Sequence, residues 1–142
     1  MTTLPSDTGR FLEDVERFAG RKLSFRTEVE QLVQASAHHG LEQTFEEIVF
    51  YAKFITNAAA VLKRSGTSGE ETAKLMAEWN ESLQKLTSLL TSILVHVPEE
   101  IRRRFTSRFL SLDQQSMGEY LSLLHDLSWI KNYWLDQKRI EH

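Results

Sequence analysis

The sequence predicts an all-α fold, an antiparallel up-down-up-down four-helix bundle with a short crossing helix between its third and fourth helices. Three observations carry this. Apolar residues recur in steps of three and four from Phe11 to Trp134; no stretch alternates apolar and polar as a strand would; turn signals divide the chain into four long segments and one short one. With 142 residues, 41% hydrophobic, residues 1–142 read as a single domain able to bury a core without a metal or a staple.

The first segment places Phe11, Val15, Phe18, Lys22, Phe25, Val29, Leu32, Ser36 and His39 on one seam. Gly20 and the capping-box pattern Thr27 to Glu30 argue for a break between residues 20 and 26. The unbroken phase argues more strongly for one helix over 7–38, because two independent helices have no reason to keep register. Gly40 supplies a left-handed stop.

The second segment, 41–64, repeats the rhythm with Leu41, Phe45, Ile48, Ala52, Ile55, Ala59 and Leu62. At about 100° per residue, Phe50, Tyr51, Phe54, Ala58 and Val61 widen its apolar arc to roughly 220°, the signature of a helix buried on two sides. Residues 65–69, Ser-Gly-Thr-Ser-Gly, make the next turn, and Ser68 with Glu71 forms a capping box. The third helix carries Met76, Trp79, Leu83, Leu86, Leu90, Ile93 and Val97 as its seam and stops at Pro98. A short helix over 98–110 follows. The last one opens at Asp113, a good N-cap, and runs to about Lys138, with Tyr120, Leu123, Leu124, Leu127, Ile130 and Trp134 facing the core.

Composition excludes several functions. Without cysteine there is no disulfide scaffold and no thiolate site for zinc or iron-sulfur clusters, and a formal charge of −3 gives no general attraction to nucleic acid. The longest uncharged run, Leu86 to Pro98, is 13 residues against the ~20 that a membrane span needs, so no membrane association is expected. The first eight residues have neither a basic start nor an apolar run, so the expected location is cytoplasmic. Phosphate loops, nucleophile elbows and dinucleotide fingerprints are missing. Helical pyrophosphohydrolases hold magnesium between facing acidic pairs, but Glu13 with Glu16 points away from its seam and no Glu-x-x-Asp occurs. No cofactor is therefore expected.

Four sets of residues remain as candidates. Antiparallel packing brings His38 and His39, ending the first helix, to the same pole as His96, with Glu42, Glu99, Glu100 and Asp113 near; three imidazoles could bind zinc or iron. No Glu-x-x-His is present, which counts against a di-iron bundle. On the back of the last helix, His125, Trp129 and Tyr133 form a ridge spaced by four, where aromatic side chains suggest a partner surface or a covering element of the same chain. Around it, His125-Asp126-Leu127 resembles the phosphoacceptor box of histidine kinases over three residues, but Ser128 and Trp129 replace the Lys and Gly that trail the His in phosphotransfer domains.

Arg102, Arg103, Arg104 and Arg108 cluster in the short helix opposite Ile101, Phe105 and Phe109, an arrangement able to hold anions. Finally, the outward side of the third helix shows Ser88, Leu89, Thr91, Ser92 and Val95 where an exposed helix normally carries Lys and Glu; the crossing helix or a second subunit should cover it. These readings favour a non-enzymatic protein that binds another protein, as an adaptor, chaperone-like factor or regulator, with a homodimer among its forms. The rival is a histidine-based metal or catalytic site at the pole.

Overall fold

The computed structural model describes residues 4, 7–64, 69–111 and 113–141, which form six helices and no strand. In chain order they are α1 (Thr8–Ala19), α2 (Arg26–His38), α3 (Glu42–Arg64), α4 (Gly69–Leu94), α5 (Glu99–Phe109) and α6 (Gln114–Glu141). The expected Ser68 cap of α4 lies outside the described residues. No described helix is long and apolar enough to cross a membrane.

The first segment is two helices, not one. Asp7 opens α1 by accepting from the Arg10 N–H at 3.1 Å, and Gly20 closes it in the left-handed region at φ 71°. The break holds because side chains rebuild what the backbone gives up. Glu16 accepts from the Leu23 N–H at 2.8 Å and pairs with Arg26 at 2.8 Å, tying the end of α1 to the start of α2. The two residues that lead into α2 are held from a distance: Asp126 of α6 accepts from Ser24 N at 3.1 Å and Phe25 N at 2.7 Å. Phe25, at the N-cap, makes no such bond with its own side chain, and Thr27 is not the cap that its capping-box pattern suggests. Gly40, at φ 66°, does end α2, with Leu41 N bonded to the Ser36 carbonyl at 2.8 Å.

Contacts between helices set the topology. His39, just past α2, stacks on His96, just past α4, so both helices end at one pole, where α3 begins. Asp126 lies at the start of α2 while Trp134 meets Phe45 in the first turn of α3, so α6 ascends to that same pole. Pro98 leads into α5, which returns from the pole and ends with Phe109 edge-on to Phe25 at 5.0 Å. α1 also descends, Phe11 lying against Trp134 and Phe18 against Trp129. The chain thus alternates direction through all six helices. The short helix does not cross over one end; it is a return stroke, and α6 consequently runs parallel to α4 where an up-down-up-down bundle needs it antiparallel.

The buried apolar residues form a single cluster drawn from every helix. Its centre is α6, which packs along α3 on its Tyr120, Leu123, Leu124, Leu127, Ile130 and Trp134 face and meets α1, α2 and α5 on its others. α4 packs on α3 and α2. At the start of α6, Asp113 accepts from Ser116 N at 2.7 Å, the expected N-cap; this bond, then that from Ser111, lowers its pKa. Across the core, Thr87 donates to the Leu83 carbonyl at 2.8 Å, which leaves its oxygen to accept from the Tyr120 hydroxyl at 2.7 Å. Burial pushes the Tyr120 phenol up to about 12.

Candidate functional site

The aromatic ridge of α6 is a covered surface. Because Gly20 turns the chain, α1 lies back along α6, and Phe18 sits edge-on to Trp129 at 6.2 Å and to Tyr133 at 5.8 Å. Phe11 packs edge-on to Tyr133 and stacks on Trp134, each at 6.1 Å. Trp129 and Tyr133 are therefore half-buried, and burial, then the Asp14 carboxylate, raises the Tyr133 pKa. The Trp129 indole N–H is buried without a hydrogen-bond partner. Of the three residues, His125 alone stays exposed, its ring edge-on to Trp129 at 6.2 Å. Of the two expectations for this ridge, a covering element of the same chain describes Trp129 and Tyr133: α1 folds back on them, as a helix that ends at residue 19 can and one running to 38 could not.

Asp126 of the kinase-like triplet is 1% exposed and serves as the long-range cap of α2. A signal for this was present in the sequence. Three residues before it and four after it are Leu123 and Ile130, both buried, so a carboxylate in that phase requires donors. Burial raises its pKa, opposed by the Phe25 and Ser24 N–H groups and by the charges of Arg21 and His125.

At the shared pole the structure brings two of the three histidines together. His39 and His96 stack with ring centres 4.1 Å apart and planes 20° apart, while all three are exposed and His38 makes no ring contact with either. Imidazole lone pairs lie in the ring plane, so near-parallel stacked rings do not converge on one ion without one of them turning. Among the described residues no group of three His, Asp or Glu side chains could hold a metal. Glu78 with Glu81, a second Glu-x-x-Glu spacing on α4, is exposed.

The arginines of α5 divide by role. Arg108 is built into the fold: its guanidinium lies 4.6 Å from the centre of the Phe25 ring, its Nε donates to Glu119 at 3.0 Å, and Glu28 is 3.8 Å away. Arg103 pairs with Glu99 at 2.6 Å. Arg104 is exposed and, among the described residues, neither it nor Arg102 has an ion-pair partner; Arg102 is half-buried. Between α5 and the first turns of α2 runs an open groove of about 550 Å³, lined by Thr27, Glu28, Gln31, Ile101, Arg104 and Phe105 with their neighbours on α5.

The charge-free side of α4 is uncovered. Ser88, Thr91, Ser92 and Val95 are exposed, Val95 at 58%, so α5 does not fold over them. Thr91 donates to the Thr87 carbonyl at 2.9 Å and Ser92 to the Ser88 carbonyl at 3.2 Å. Their donors are already used within the helix, which lowers the cost of drying this face. The wide apolar arc of α3 is also only partly buried, with Phe50 at 56% and Val61 at 42% exposure. Compared with known proteins, the chain matches no family model, no curated protein and no solved structure.

Proposed function

We propose that this protein is a non-enzymatic protein-interaction domain whose principal contact surface is the charge-free side of α4, and that a second copy of the chain is its first partner. One observation carries the reading: Thr91 and Ser92 fold their hydroxyls back onto their own helix, leaving the Thr91 methyl, the Ser92 methylene and, just past the helix, Val95. Such a face loses little on dehydration and meets its own copy across a two-fold axis with no like charges opposed. Exposed Phe50 on the neighbouring α3 adds apolar area. Trp129 and Tyr133 are no longer needed as a contact surface once α1 packs on them, and His125 alone stays exposed there.

Sedimentation equilibrium over a wide concentration range tests this. The expected result is a reversible dimer in which Val95→Glu weakens association at least about tenfold, since a buried unpaired carboxylate opposes it, while thermal unfolding of the monomer is unchanged. A strict monomer at every concentration overturns the reading. The histidine pole is tested in parallel by elemental analysis: stoichiometric zinc or iron that disappears in His39→Ala and His96→Ala would replace an interaction domain with a metal protein.

A further inference from the structure

The groove between α2 and α5 belongs to neither surface above. Its α5 wall carries Ile101, Phe105 and Phe109 below and Arg103, Arg104 and Arg108 along the rim; the α2 wall contributes Thr27, Glu28 and Gln31. Within the lining, three positive charges face one negative one, in a chain whose net charge is −3. Two of the three are already engaged, Arg103 by Glu99 and Arg108 by Glu28 and Glu119. Arg104 is left exposed and without an ion pair among the described residues, beside an apolar floor.

We propose that this groove docks an amphipathic helix of a partner protein, one that lays an apolar face on half-buried Ile101 and the aliphatic stems of the rim arginines, above buried Phe105, and brings one or two carboxylates to Arg104. The inference shares with the preceding reading only the premise that the chain acts through protein contacts. Three features select this occupant. Both walls are helices whose backbone groups bond along their own axes, so an extended peptide finds no strand edge, whereas a helix brings its own backbone bonds with it. The groove is only partly enclosed, and a small ligand usually needs about 70–90% of its surface buried. Glu99, Glu100 and Glu119 interleave with the arginines, and a phosphate backbone, with one charge roughly every 1.7 Å of duplex, would meet them as well as Arg104. The surplus suits one or two carboxylates.

Selection from a library of displayed random peptides of about 14 residues, roughly 20 Å as a helix, tests the proposal with the full chain. Arg104→Glu and Ser107→Glu serve as counter-selection targets, both exposed positions on the groove lining. Circular dichroism confirms that each variant folds. Enriched peptides should carry apolar residues at i, i+3 or i+4, and i+7, with Asp or Glu beside them. By fluorescence anisotropy they should bind Arg104→Glu at least about tenfold more weakly than the unmodified chain, and should bind Val95→Glu without loss. That last arm separates this groove from the α4 face. Selection of no groove-dependent peptide, selection of basic peptides, or Arg104-dependent binding of an oligonucleotide or inorganic phosphate in their place overturns the proposal.

Discussion

The corner between α1 and α2 and the outer half of the α3–α4 hairpin both join antiparallel helices, yet they are held in opposite ways. At the corner three successive backbone donors find carboxylates: Glu16 takes Leu23 N, Asp126 takes Ser24 N and Phe25 N, and Arg26 ties Glu16 to the Gly9 carbonyl. Along the outer hairpin, Met76 is 50% and Val61 42% exposed, and the Trp79 indole donates to the Ile55 carbonyl at 3.1 Å. The corner consumes its interaction capacity internally. The hairpin, with the α4 face and the α5 groove, retains it, and that is where partners are best sought.

The comparison breaks first at Asp126. Asp126→Ala strands one buried backbone donor, Phe25 N, and one part-buried donor, Ser24 N, and should cost about 2–6 kcal/mol in urea-unfolding free energy, at roughly 1–3 kcal/mol per unsatisfied group. Asp126→Asn, which keeps one acceptor oxygen, should cost less. Their pH dependence also differs. Because burial raises the Asp126 pKa above its ordinary 3.8, the folded protein holds that proton more tightly than the unfolded chain. Its contribution to stability therefore falls as pH climbs from about 3.8 through the raised value, then levels off. Asp113 works the other way: its lowered pKa gives stability above the ordinary carboxylate range that is lost as pH falls through the lowered value. Unfolding curves taken between pH 3 and 7 should show the falling component in the unmodified chain and not in Asp126→Asn.

Gly20 gives the second, smaller effect. A Cβ there meets nothing within 4 Å, so Gly20→Ala isolates the conformational cost of φ 71°, about 1–2 kcal/mol. A loss of that size with unaltered near-ultraviolet circular dichroism, which reports the Phe18, Trp129 and Tyr133 contacts, would show that the corner is strained but not rearranged. A stabilised variant would mean that the chain prefers the continuous helix over 7–38.

That prediction also marks what the sequence could and could not disclose. Local signals were sufficient where Gly40 precedes α3, Pro98 divides α4 from α5 and Asp113 opens α6, each acting through neighbours a few residues away. The core face of α6 followed from period alone. Antiparallel packing was enough to bring His39 to His96. The corner was only half legible: Gly20 marked the break, but its tie to Asp126, 101 positions beyond Phe25, is an acceptor too distant for any local pattern to weigh against a continuous seam. With α1 free to fold back, the α6 ridge is covered, and with α5 returning alongside α2, the side of α4 expected to lie under it is bare.

The smallest expected effect is the most informative about the hairpin. Met76 occupies a seam position of α4 by sequence, and a buried methionine replaced by a charge would cost several kcal/mol; at 50% exposure the same change meets mostly water. Met76→Glu should therefore shift the unfolding free energy by no more than about 0.5 kcal/mol, the range of surface substitutions. If the loss instead reaches the size seen for Asp126→Ala, the outer hairpin is packed against something in solution. Repeating the measurement across protein concentration then decides what: a cost that grows with concentration places a second copy on the hairpin, because only association makes stability depend on how much protein is present. A cost that stays constant means the chain itself covers Met76, and the contrast between corner and hairpin disappears.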